Sequence, residues 1–321
     1  MEGQKFKDAQ DAAIAQVTEG LPMKSVVSLI SFGHFVEVLV SKKMIKSEKD
    51  KQKIIKIIEK QRVSGGTPLH ETLEKAYELS KSYGSLIPRV ILISDGQPTD
   101  VTGTNLDAYL TLATKFHEAG ISIDAIGVGG DHDVKLMSKL AEWSVGKYVY
   151  LKSGQSRALK PAVLELTQSA ATQIITRPEL EITLSNPDDT IEFAAQYEPT
   201  GVGLIVNGSS GRYVVSLRGV EPEKTFRVAV KLKCSNPSYG SPQEGVKIGS
   251  VRISSKGKTH FEQDLLIDVV PTGNHYNIQI AKICDRAKQI IDTRDRESTI
   301  YDGDEAAERL TKIQGRETRV G

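Results

Sequence analysis

Short apolar runs that end in turn residues alternate with helix-length amphipathic segments through the first half of this 321-residue chain. That alternation constrains the fold more than any other feature. Ser25–Phe32, closed by Gly33, is one such run; Ile87–Ser94 and Ile121–Val128 are two more, and Lys147–Leu151 is a fourth. Continuous rather than alternating apolarity suits strands covered on both faces. The intervening stretches carry apolar residues at helical spacing. Phe6, Ala9, Ala13 and Val17 mark a helix over 5–18, and Ile54, Ile55 and Ile58 mark one over 48–61. Further helices are expected over 67–83, 106–118, 134–142 and 156–171. Strands that alternate with helices predict an α/β unit with a doubly wound, mostly parallel sheet. One local exception is expected, since Phe35–Val40 follows Ser25–Phe32 after a two-residue turn and should close a hairpin with it.

Around Arg177-Pro178 the period changes to two. Leu180, Ile182 and Leu184 alternate with polar neighbours, as do Ile191, Phe193, Ala195 and Tyr197, then Tyr213, Val215 and Leu217. Phe226, Val228, Val230 and Leu232 follow, with Arg227, Lys231 and Lys233 opposite; Val246–Ile253 and Phe261–Val270 complete about seven strands. This predicts an antiparallel β-sandwich. Beyond Pro271, Ile280, Cys284, Ala287 and Ile291 fit one helix face, and Ala307, Leu310 and Ile313 a second, so a C-terminal helical hairpin is expected. The organisation read from the chain is therefore 1–173, 178–272 and 273–321.

Within the first unit two segments stand out, Ser64-Gly65-Gly66-Thr67-Pro68-Leu69 and Arg89-Val90-Ile91-Leu92-Ile93-Ser94-Asp95-Gly96-Gln97-Pro98-Thr99-Asp100. Ligands of open α/β sheets bind beyond the carboxyl ends of the strands, where Asp95 sits. Taken singly, Thr67 before Pro68 reads as a helix N-cap and Asp95-Gly96 as a strand-to-turn dipeptide. Together, in this order, they resemble the von Willebrand factor type A domain, whose metal-ion-dependent adhesion site draws ligands from three loops. The resemblance covers about the first half of the chain. It implies Thr67 and Asp95 as metal ligands, with Mg²⁺ (or Mn²⁺ or Ca²⁺) as the ion and an acidic side chain of a protein partner completing it. The first loop of the family, an Asp-x-Ser-x-Ser stretch ending a central strand, is absent. The chain is thus expected to lack the start of its domain, to hold the metal weakly or not at all, and to miss a strand between Ser25–Phe32 and Ile87–Ser94. A missing central strand leaves a gap near 10 Å or forces its neighbours to pair. A chain so depleted should be unstable alone, or be completed by a strand from a partner.

Other signals weigh less. Gly127-Val128-Gly129-Gly130 lacks the full spacing of a dinucleotide loop. Asp131 or Asp133 reads as an N-cap for the helix at Val134, and one histidine, His132, makes no zinc set. Lys49, Lys53, Lys56 and Lys60 form a solvated stripe. His34, His70 and His117 have no nucleophile beside them in sequence. The net charge of +1 argues against nucleic acid or anionic membrane as a partner, and no apolar run reaches the length of a membrane span. Cys234 and Cys284 lack ligand spacing and read as free thiols, so the expected location is the cytoplasm. The leading expectation is a non-enzymatic protein-interaction module. The alternatives are a metal-independent scaffold acting through the sandwich and helices, and a phosphohydrolase using Asp95 with Asp100 as the second carboxylate.

Overall fold

The computed structural model describes residues 1–81, 88–100, 102–173, 175, 177–198, 202–204, 206–221, 225–233 and 243–269. The expected helical hairpin over 273–321, both cysteines and the expected end of the third helix at Tyr83 lie outside the described residues. The chain divides into two compact units, Met1–Thr172 and Gln173–Gly321.

The first unit opens with α1 (Gly3–Ala15), which continues as one wide turn over Gln16–Gly20. The hairpin β1 (Val26–Phe32) and β2 (Val36–Met44) is antiparallel, as expected. Then come α2 (Glu48–Glu59), α3 (Leu69–Ser80), β3 (Arg89–Ser94), α4 (Leu106–Glu118), β4 (Ser122–Val128), α5 (Val134–Trp143), β5 (Tyr148–Leu151) and α6 (Leu159–Ala171). Strands β3, β4 and β5 form a parallel sheet in that order, with Arg89 opposite Ser122 and Ala125 opposite Tyr148. Helices cover both faces. On one, Leu73, Tyr109, Phe116, Leu136 and Leu140 from α3, α4 and α5 pack on Leu92 and Ile123. On the other, Ala12 of α1 and Leu159, Val163 and Leu166 of α6 pack on Ile126 and Val128. A third cluster joins Val17, Val40, Ile45, Ile54 and Ile58 beneath the hairpin. The doubly wound reading therefore holds. Among the described residues β1 pairs with β2 alone and β3 with β4 alone, so the two strands expected to flank a missing neighbour do not pair with each other.

The second unit is a β-sandwich. One sheet is ordered β13-β12-β6-β10-β9, from β6 (Glu179–Leu184), β9 (Val206–Ser209), β10 (Arg212–Ser216), β12 (Gln243–Ser255) and β13 (Lys258–Val269). The other is β11-β7-β8, from β7 (Thr190–Glu198), β8 (Val202–Leu204) and β11 (Arg227–Lys233). Every pairing is antiparallel. The alternation expected in β7 fails midway. Leu232 faces Ile191 while Lys231 faces Phe193, and the extra residue at Glu192 is a bulge that reverses which side chains point inward. Ala194 therefore joins the core with Val215 and Leu217. A period-2 reading carried straight through the bulge places Phe193 there instead.

The rim built by Thr67 and Asp95

The loop before α3 and the turn after β3 meet at the carboxyl end of the parallel sheet. Gly66 adopts φ +85°, a left-handed conformation that a Cβ disfavours, and its Cα also lies close to Gly33, whose carbonyl oxygen a Cβ there would approach to 3.0 Å. The next residue, Thr67, is locked to the far loop. Its N–H donates to Thr99 Oγ1 at 2.7 Å, and its carbonyl accepts from the Thr99 N–H at 2.9 Å. Thr67 is 8% exposed. Its hydroxyl lies over Gly96, where a Cβ would come within 2.8 Å of Oγ1. Thr67 and Asp95-Gly96 are thus neighbours on one rim, brought together from two loops.

The capping reading of Thr67 is corrected. Helix α3 starts at Leu69, two residues later than expected, and Pro68 in its cap position makes no side-chain cap. Asp100 does that work from the other loop. Its Oδ2 accepts from the His70 N–H at 2.7 Å, placing negative charge at the positive end of α3. Its Oδ1 accepts from the Gly103 N–H at 3.2 Å. Both Asp100 oxygens are therefore engaged with backbone donors, which disfavours Asp100 as the second carboxylate of a phosphoryl-transfer pair.

Asp95 has neighbours that the sequence reading missed. Its Oδ1 lies 3.0 Å from the Met1 amino group and its Oδ2 lies 3.8 Å from Lys5 Nζ. Lys5 reaches on to Asp131 at 3.5 Å. The Lys5 ammonium lies over Gly129, where a Cβ would come within 2.7 Å of it. Nothing in the local pattern of Lys5 signals this role, because only the packing of α1 brings it to the rim. Gly129, with φ +80°, is the close-approach glycine of the loop dismissed above as a dinucleotide site. A shallow groove of about 510 Å³ beside the rim is lined by His34, His70, Glu71, Glu74 and Asp100.

Residues 1–150 match the von Willebrand factor type A domain family. These residues are a von Willebrand factor type A domain. The fold is similar to that of a von Willebrand factor type A protein from Catenulispora acidiphila, with a TM-score of 0.75 at 15% identity over 89% of this chain and 68% of that one. Weaker likenesses are to the ArnB paralog VWA2 from Sulfolobus acidocaldarius (TM-score 0.45, 15% identity, 99% of this chain and 77% of that one). Proximal thread matrix protein 1 of the mussel byssus, solved with a zinc-occupied MIDAS motif, gives 0.40 at 18% identity, over 53% and 44%. No curated protein sequence matches the chain.

The ion that the family implies makes its own demand on the donor set. A hydroxyl and a carboxylate are hard oxygen ligands of the type Mg²⁺ takes, but Mg²⁺ wants about six of them. Thr67 and Asp95 supply two side chains, and the Asp95 carboxylate already faces the Lys5 ammonium. Among the described residues no cluster of three His, Cys, Asp or Glu side chains adds to them. The residues present fit part of a coordination shell in chemistry and fall short in number.

The domain also buries a histidine behind the rim. His132 is fully buried, with Nδ1 2.8 Å from the Gly129 carbonyl oxygen and Nε2 2.7 Å from the Tyr148 hydroxyl. Asp133 caps α5 by accepting from the Leu136 N–H at 2.9 Å, as one of the two candidates for that cap. Burial pushes the His132 pKa below its ordinary value, against the opposing pull of the Gly129 hydrogen bond and the Asp133, Asp95 and Asp131 charges. A histidine depressed in the folded state takes up its proton more readily when unfolded. Its contribution is therefore complete above about pH 6.5 and is lost as pH falls below that toward the folded value. Urea midpoints are expected to drop between pH 7 and pH 5, and to drop less in His132→Gln. Parallel pH profiles for the two proteins would place the titration elsewhere.

Proposed function

We propose that this von Willebrand factor type A domain is a non-enzymatic protein-interaction module whose partner face is the rim around Thr67 and Asp95. The observation that carries the reading is the convergence of the buried Thr67 hydroxyl and the Asp95 turn, the side chain at Gly96 being absent so that the two loops touch. On this reading Thr67 and Asp95 would hold a divalent cation, Mg²⁺ in the first instance, only jointly with water and with an acidic side chain of the partner. The ion supplies positive charge to which that side chain binds. Asp95 must first give up the Lys5 ammonium, so the domain alone holds the ion weakly. No bond in the partner is broken.

Calorimetric titration of the full chain with Mg²⁺ and Mn²⁺ tests this. Weak binding is expected for the unaltered protein and none for Asp95→Ala. Lys5→Ala is expected to tighten binding by up to about fivefold, the worth of a partly exposed ion pair. Equal binding by the unaltered protein and Asp95→Ala would remove Asp95 from the site.

A further inference from the structure

Residues 42–62 hold nine basic and three acidic side chains, a net of +6 inside a chain whose net charge is +1. The fold gathers part of that charge on one helix face. In α2, Ile54, Ile55 and Ile58 turn inward and pack with Val17, Val40 and Ile45. Helical spacing then puts Lys49, Lys53, Lys56 and Lys60 together on the opposite side, in a row about 16 Å long. All four are exposed.

The acids at the start of the helix do not neutralise this row. Asp50 faces Lys43 at 3.3 Å, and Glu48 faces the buried Lys51 at 3.6 Å. Among the described residues none of the four row lysines makes an ion pair. The helix is also held in place. Gln10 of α1 donates from Nε2 to the Ile58 and Gln61 carbonyl oxygens at 2.9 and 3.2 Å, and Lys51 donates to the Thr18 carbonyl oxygen at 3.0 Å. Four like charges thus stand in line on a fixed support, an arrangement that costs stability through mutual repulsion.

We propose that the row is a docking surface for an acidic segment of another protein, one whose carboxylates recur at the same three- and four-residue steps along a helix. The row is one side chain wide, with Gln52 and Glu59 along one flank and Asp50 and Ile57 along the other. A broad anionic surface such as a bilayer would also meet Glu59, and the isoleucines that could enter it are buried inside the domain. A nucleic-acid single strand calls for aromatic side chains on which its bases stack. Residues 42–62 contain none. A narrow line of carboxylates meets neither obstacle. The inference goes beyond the rim and does not use its metal.

The full chain is titrated against a fluorescein-labelled, alanine-rich peptide with glutamate at i, i+4, i+7 and i+11, and binding is read by fluorescence anisotropy. Binding is expected at low salt and its loss at about 1 M salt, where charges are screened within about 3 Å. Lys49→Gln, Lys53→Gln, Lys56→Gln and Lys60→Gln combined are expected to weaken it at least about tenfold, the joint worth of four exposed ion pairs. Lys7→Gln, Lys75→Gln, Lys115→Gln and Lys135→Gln combined remove as much charge from exposed sites elsewhere, and should change it less than about twofold. A charge-reversed variant, with glutamate at the four row positions, should instead bind the peptide that carries lysine in place of glutamate. That gain cannot come from misfolding. Absence of binding at low salt, equal weakening by the two glutamine sets, or no reversal would overturn the proposal. Preference of the row for a short thymidine oligonucleotide, or for vesicles of equal parts phosphatidylserine and phosphatidylcholine, would assign it another partner and overturn the proposal equally. Self-association through the row without peptide binding would do the same in favour of a second copy of this chain. Chelator and Asp95→Ala should leave peptide binding unchanged, which separates this surface from the rim.

Discussion

Arg89→Leu is expected to lower the unfolding free energy of the first unit by about 3–5 kcal/mol, the cost of leaving a buried charge without its partner. Asp124 is wholly inaccessible to solvent, in the middle of β4, and its Oδ2 lies 3.0 Å from Arg89 Nε. Its Oδ1 accepts from the Lys147 N–H at 2.7 Å, which ties β4 to the start of β5. Arg89 also donates to the Leu166 carbonyl oxygen at 3.3 Å, linking β3 to α6. One guanidinium thus neutralises a carboxylate held between two strands and anchors the helix above it. Urea denaturation measures the loss. The double variant Arg89→Leu with Asp124→Asn removes the charge but keeps an acceptor for Lys147, so it should recover much of what the single variant loses. A single-variant loss below about 1 kcal/mol, the worth of a surface pair, would mean that Asp124 is not confined as described.

Gly127→Ala is expected to cost about 3 kcal/mol, combining overpacking with the loss of buried hydrogen bonds. A Cβ on Gly127 would fall 2.0 Å from His132 Nε2, the nitrogen that meets the Tyr148 hydroxyl. The ring has no free direction in which to yield, because its other nitrogen is held by the Gly129 carbonyl oxygen. Gly130→Ala is the control, since a Cβ there meets nothing within 4 Å and the change should stay within about 0.5 kcal/mol. Thermal and urea unfolding of the two variants give the comparison. Equal stabilities would show that His132 moves aside at little cost.

The elements of the first unit were legible because each is announced by a local pattern: apolar runs for β1, β3 and β4, amphipathic spacing for α2 and α4, and Asp133 as one of two candidate caps for α5. The meeting of Thr67 with the Asp95 turn was expected from the resemblance of the two segments to the family's loops, since Thr67 itself follows a helix and not a strand. Less visible was any contact whose partner is distant in sequence and chemically ordinary. Asp100 caps a helix through the His70 N–H, thirty residues earlier, and nothing near Asp100 announces it. Lys5 is one of many lysines and differs from the rest only by where α1 lies.

Periodicity and turn chemistry in the chain are sufficient for a doubly wound α/β unit followed by a sandwich, because burial of apolar side chains acts through spacings of a few residues. Two features needed the folded molecule: the Lys5 ammonium beside Asp95 and the reversal of facing at Glu192. Each depends on the placement of one segment against another far along the chain, a matter of packing and of which backbone groups find partners, and no local spacing encodes that.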